Sequence, residues 1–103
     1  MDAVYDADYF IEKFSQIPDD QWTTGNYAMD GKCCALGHCG MRSGFGAGYE
    51  ASELDSLFGR VFGKTLAVVN VNDGYCLEFN QPTPKARILA ALQWIKEGRP
   101  SEH

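Results

Sequence analysis

Residues 65–79 read Thr65-Leu66-Ala67-Val68-Val69-Asn70-Val71-Asn72-Asp73-Gly74-Tyr75-Cys76-Leu77-Glu78-Phe79, and this stretch decides the fold class. Thr65 to Val71 is apolar and β-branched, the composition of a buried strand. Asn72-Asp73-Gly74 supplies the residue types of a hairpin loop. Beyond it Tyr75, Leu77 and Phe79 alternate with Cys76 and Glu78, the two-residue period of a half-buried strand. The stretch therefore predicts a hairpin. With the helices around it, the fold class is α+β: about four helices packed on a small antiparallel β-hairpin or short sheet.

Working outward, Ser52-Glu53-Leu54-Asp55 has the capping-box pattern, with Ser52 as N-cap and Asp55 reaching back. Leu54, Leu57, Phe58, Val61 and Phe62 then lie at helical spacing, and Gly63 closes that helix. On the other side Thr83 caps a helix with Pro84 in its first position. Ile88, Leu89, Ala91, Leu92 and Ile95 line one broad face of it up to Gly98. An N-terminal helix from Ala7 to Gln16 is predicted by Phe10, Phe14 and Ile17, with Asp6 as N-cap and Pro18 ending it. Asp19-Asp20-Gln21-Trp22 reads as a turn into an extended piece, Thr23 to Met29, with Trp22 and Tyr27 as core or groove-lining aromatics. Asp30-Gly31 signals another turn, after which Cys33 to about Met41 forms a short helix. The three glycines between Ser43 and Tyr49 read as a flexible loop, and residues 99–103 as a frayed tail.

A chain of 103 residues and 11.4 kDa fits one compact domain over 1–103. Its hydrophobic content of 45% suits a globular fold rather than a disordered one. No apolar run approaches the ~20 residues of a membrane helix. The opening residues Met1-Asp2-Ala3-Val4-Tyr5-Asp6 lack the layout of a signal peptide, so a cytoplasmic location is expected, with reduced thiols. The net charge of −5 is concentrated early. Residues 1–30 carry Asp2, Asp6, Asp8, Glu12, Asp19, Asp20 and Asp30 against Lys13 alone. Direct nucleic-acid binding is not expected of such a segment, because a phosphate backbone is met by Lys and Arg. Asp6, Asp8, Asp19, Asp20 and the nearby Trp22 form instead a binding face for a basic protein partner, unless the charge run is only a solvated helix surface.

The richest chemistry lies in Gly31-Lys32-Cys33-Cys34-Ala35-Leu36-Gly37-His38-Cys39-Gly40. Three readings compete. Cys33 or Cys34 in the first turn of a helix gains thiolate character from the unpaired N–H groups and from Lys32, and Asp73 is available to orient a base. That reading makes Cys33, Cys34 and Asp73 catalytic, yet leaves only His38 and His103 as imidazoles. Zinc is the second reading: Cys34 and His38 are spaced i, i+4, Cys39 is adjacent and Cys76 is a distant fourth. The spacing matches no familiar zinc module, and no metal ligand set is assigned. In the third reading the thiols pack as small apolar residues. Gly44-x-Gly46-x-Gly48 lacks the ending of a phosphate loop, and no cofactor is expected.

Cys34-Ala35-Leu36-Gly37, the Asn72-Asp73 dipeptide and Ile88-Leu89-x-x-Leu92 together resemble a family of small bacterial and phage-borne domains of unknown function, over about residues 7–95. The doubled Cys33 and the added His38-Cys39 depart from that pattern. The resemblance implies a small cytosolic accessory protein from a mobile element, with Cys34, Asn72 and Asp73 holding the fold or a site together. The function expected is thus a non-enzymatic interaction protein that meets a host protein through its acidic face. A thiol-dependent enzyme and a zinc-stabilised domain are the alternatives. A monomer is expected, or a homodimer through aromatics near Tyr49 or Trp94.

Overall fold

The computed structural model describes residues 5–25, 28–29, 31–39, 49–63, 67–76 and 78–98. Of these, 63% are helical and 5% are strand, so the α+β expectation is corrected to a mostly helical fold. Helix α1 runs Ala7–Ser15, and a 3-10 turn over Asp19–Gln21 follows Pro18. Two minimal strands, β1 (Ala28–Met29) and β2 (Lys32–Cys33), pair antiparallel. Then come α2 (Ala35–His38), α3 (Tyr49–Phe62), α4 (Ala67–Asn72) and α5 (Pro84–Lys96).

The decisive stretch is where the expectation fails. Residues 67–72 form α4, not a strand. Ala67, Val68, Val71 and Asn72 are all buried, at the i, i+1, i+4, i+5 spacing of one helix face. That face packs against α3 and α5. Valine's helix penalty is at most about 0.7 kcal/mol per residue, less than the burial gained by each such side chain. The Asn-Asp-Gly turn is a helix cap rather than a hairpin loop. Gly74 takes φ +86°, its N–H donates to Val71 O at 3.2 Å, and Tyr75 N–H donates to Asn70 O at 2.9 Å. This is the paired-bond Schellman ending, which places glycine just past a helix. The expected second strand is accordingly missing from the described residues: Tyr75 is exposed and Phe79 is buried in irregular backbone. Leu77 lies outside the described residues.

Several helix ends follow the sequence closely. Asp6 caps α1 by accepting from Tyr9 N–H at 2.9 Å. Thr83 Oγ1 accepts from Ala86 N–H at 3.1 Å, with Pro84 opening α5. Gly63 and Gly98 follow α3 and α5 in the left-handed conformation. Ser52, expected as a cap, instead lies inside α3, which starts a turn earlier. Glu50 anchors that extra turn: Tyr9 donates its hydroxyl proton to the Glu50 carboxylate, and Lys13 Nζ lies 3.2 Å from it. Helix α2 is shorter than expected. Cys33 ends β2, Cys34 is the N-cap, and Met41 lies outside the described residues, as do 43–48 of the glycine-rich loop and the tail 99–103.

Helices α1 and α5 pack side by side and run antiparallel, with Lys85 Nζ donating to Ser15 O at 3.2 Å and Lys96 reaching Asp8 at 2.8 Å. Phe10, Phe14, Leu36, Leu54, Phe58, Ile88 and Leu92 form the sealed core. An edge-on ladder of rings continues from Phe58 through Phe62 and Phe79 to Trp94, with centroids 5.5–5.7 Å apart.

Candidate functional site

Asn72 is the one fully buried polar side chain among the described residues, and its amide is matched on both sides. Oδ1 accepts from Ala35 N–H at 3.1 Å; Nδ2 donates to Thr23 O and to Asp73 Oδ1, each at 2.9 Å. Asp73 Oδ1 also accepts from Gly25 N–H at 3.1 Å. The Cys34 side chain makes no cap bond, so Asn72 serves from another helix as acceptor for the first N–H of α2. Thr23 is held in turn by its N–H to Cys33 O at 3.1 Å, beside the single bridge between Trp22 and Cys33. One buried amide therefore joins the start of α2, the end of α4 and the chain after Trp22.

From α5, Arg87 closes the other side of this joint. Its Nε lies 3.2 Å from Val71 O and 3.3 Å from Asn72 O; Nη2 donates to Asn72 O at 2.8 Å and Nη1 to Gln81 O at 2.9 Å. A cation here satisfies the terminal carbonyls of α4 and opposes the negative end of its dipole. Nothing in the sequence pattern singles Arg87 out, because its partners are main-chain atoms.

The structure brings Cys34, Asn72 and Asp73 together around the start of α2 and the end of α4. Two of the thiols, Cys34 and Cys39, are tuned away from nucleophilicity. Cys34 is 5% exposed, and burial raises its pKa; hydrogen bonds with the Gly37 and Leu36 backbone pull the other way, and the Asp73 charge adds to the rise. Cys39, 4% exposed, is pushed up to about 12, first by burial and then by the Glu50 carboxylate. Cys33 and Cys76 are half-buried. The His38 ring packs on the Trp22 ring, with centroids 4.7 Å apart. Among the described residues, no group of three or more His, Cys, Asp or Glu is placed to hold a metal ion.

The acidic residues lie apart from this joint. Asp6, Asp8 and Glu12 are exposed along α1, and Asp19 and Asp20 on the 3-10 turn beyond its end. Asp8 and Glu12 are one helical turn apart and share a face. Asp8 pairs with Lys96 at 2.8 Å, and Asp6 is engaged as the cap. Trp22 does not join them. It is 5% exposed, packs edge-on to Phe14 at 5.3 Å and donates Nε1–H to Ile17 O at 3.4 Å, so it belongs to the core.

Among the described residues no helix is long and apolar enough to cross a membrane. Comparison with family models, curated proteins and solved structures found no match to this chain.

Proposed function

We propose that this chain is a non-enzymatic interaction protein whose exposed acidic face on α1 and the following turn meets a basic surface of a protein partner. The observation that carries the reading is that Asp8, Glu12, Asp19 and Asp20 are exposed on one helix and the turn after it, with Asp8 paired to Lys96 and Lys13 turned to Glu50. Like charges gathered in this way steer a basic partner and set specificity more than affinity. The raised pKa of Cys34 argues against that residue as the nucleophile of the alternative reading, since a thiol nucleophile needs the opposite shift. Cytoplasmic placement, a mobile-element origin and a host protein as target belong to this proposal.

The test is capture from a cell lysate with the native chain and with an Asp8→Lys, Asp19→Lys, Asp20→Lys variant, followed by titration of the captured partner at two salt concentrations. Asp6 is left in place because it caps α1. Loss of the partner by the variant, and weakening with salt, support the reading. A partner held equally by the charge-reversed chain removes it.

A further inference from the structure

Helix α3 has two competing starts. In sequence, Ser52-Glu53-Leu54-Asp55 is a capping box, in which the Ser52 hydroxyl accepts from Asp55 N–H and the Asp55 carboxylate reaches back to Ser52 N–H. In the fold, α3 begins instead at Tyr49, and Ser52 and Asp55 lie exposed within it. The extra turn is held from α1: Tyr9 donates its hydroxyl proton to the Glu50 carboxylate, and Lys13 Nζ lies 3.2 Å from the same group. We propose that residues 49–51 form a two-state turn. It is helical while Tyr9 and Lys13 hold Glu50, and it leaves the helix, with Ser52 as the new N-cap, when that hold is lost.

The two states draw on contributions of similar kind. The longer helix gains a charge-assisted hydrogen bond, an ion pair between side chains 28% and 23% exposed, and the burial of Ala51. The shorter helix gains the capping bonds of Ser52 and Asp55 and the conformational freedom of three residues. Leu54 and Phe58, which seal α3 into the core, lie beyond Ser52 and stay helical in either state. The change is therefore confined to one turn, and charge on Glu50 and Lys13 decides it. Release also leaves Lys13 unpaired on α1, so the start of α3 sets the charge of the helix that the proposed function uses. That consequence alone rests on the proposed function.

Amide hydrogen exchange followed by NMR reads where α3 starts. In a helix that begins at Tyr49, the N–H groups of Glu53 and Leu54 donate to the carbonyls of Tyr49 and Glu50. With Ser52 as N-cap they are first-turn amides without a backbone acceptor. Glu50→Gln keeps the side chain's shape and removes its charge, and exchange at Glu53 and Leu54 is expected to rise roughly tenfold, with Leu57 and Phe58 unchanged. Ser52→Thr and Ser52→Val, each added to Glu50→Gln, then test the new cap. The two side chains match in shape and helix propensity, and only threonine keeps the hydroxyl. Exchange at Glu53 and Leu54 is expected to be roughly fivefold slower with valine than with threonine, because the released state has lost its cap. Equal rates in these two chains mean ordinary fraying and overturn the proposal. So does an absent response to Glu50→Gln, or one that spreads to Leu57 and Phe58. None of these outcomes bears on capture by the acidic face, whose reversed charges lie at Asp8, Asp19 and Asp20.

Discussion

The joint at Asn72 and the acidic face of α1 are both polar, and physics treats them in opposite ways. At the joint every polar atom of the buried Asn72 side chain is matched, so its hydrogen bonds decide how three segments meet. On α1 the carboxylates face water, where the Asp8–Lys96 pair adds little to stability. What is buried and matched holds the fold; what is exposed and like-charged is left over for recognition. A polar cluster next to cysteines is thus a structural feature here, and the plain run of aspartates is the functional candidate.

The comparison breaks first if the joint does not carry stability. Asn72→Leu keeps the volume but strands Ala35 N–H and Thr23 O without their partners, at about 1–3 kcal/mol for each buried orphan. We expect a loss of about 3 kcal/mol in urea denaturation, the largest effect among the changes considered. A loss below about 1 kcal/mol means that water replaces the amide and that the joint is not the device described.

The two thiols beside the joint sharpen the comparison through pH. Cys39 titrates near 12 in the folded chain and Cys34 is also raised, both mainly because burial disfavours the thiolate. A raised folded pKa means that the folded state keeps a proton the unfolded chain releases. The stability this represents is complete below the ordinary thiol range near 8.5–9 and is lost as pH rises towards the folded value. Tyr9, raised to about 12 chiefly by its hydrogen bond to Glu50, acts in the same direction from about pH 10 upward. Unfolding free energy should therefore be flat from pH 7 to 8.5 and then fall, approaching about 1.4 kcal/mol per pH unit for each of the two buried thiols, with Tyr9, open to water, adding less. Alkylation at pH 8 should label Cys33 and Cys76 first. Rapid labelling of Cys34 revives the nucleophile reading.

How much of this was legible in the sequence depends on whether a residue's partner is local. Asp6, Thr83, Pro84, Gly63 and Gly98 act on their own helix ends, and each lies where the local rule puts it. Residues 67–79 misled because Asp-Gly ends helices as well as closing hairpins, and because valines serve either element. The helical spacing of Ala67, Val68, Val71 and Asn72 was the signal that distinguished them. Asn72 itself looked like turn chemistry since its partners, Thr23 and Ala35, are dozens of residues away. Arg87 gave no sign at all. Trp22 is expected both as a core or groove-lining aromatic and beside the acids it follows in sequence, and packing turns it inward to the core. Tyr75, expected on a strand, is instead an exposed residue at the rim of a cleft.

Two smaller changes probe the far side of the joint. Arg87→Met removes the donors that cap α4 and should cost about 2 kcal/mol, a figure set by hydrogen bonds from a charged group to half-buried carbonyls. Gly74→Ala meets no hard clash, since the added carbon lies 3.4 Å from the Arg87 guanidinium, but it forces a side chain into φ +86°. That strain is about 1 kcal/mol. If Gly74→Ala is neutral, the left-handed glycine is not required for the Schellman ending of α4.

The smallest effect on stability is asked of the residues on which the functional reading depends most. Asp19→Asn with Asp20→Asn removes two charges from an exposed turn that buries no side chain. Surface substitutions of this kind stay within about 0.5 kcal/mol, so the urea midpoint should not move. Partner association should slow nonetheless, because neutralising a face charge lowers the on-rate and its salt dependence while leaving dissociation almost unchanged. Rates measured at low and moderate salt separate the two arms of the comparison. An unchanged on-rate at low salt makes the acidic run a solvated surface and nothing more. A slowed on-rate with unaltered stability puts recognition on the acidic turn after α1 and leaves the Asn72 joint to hold the fold.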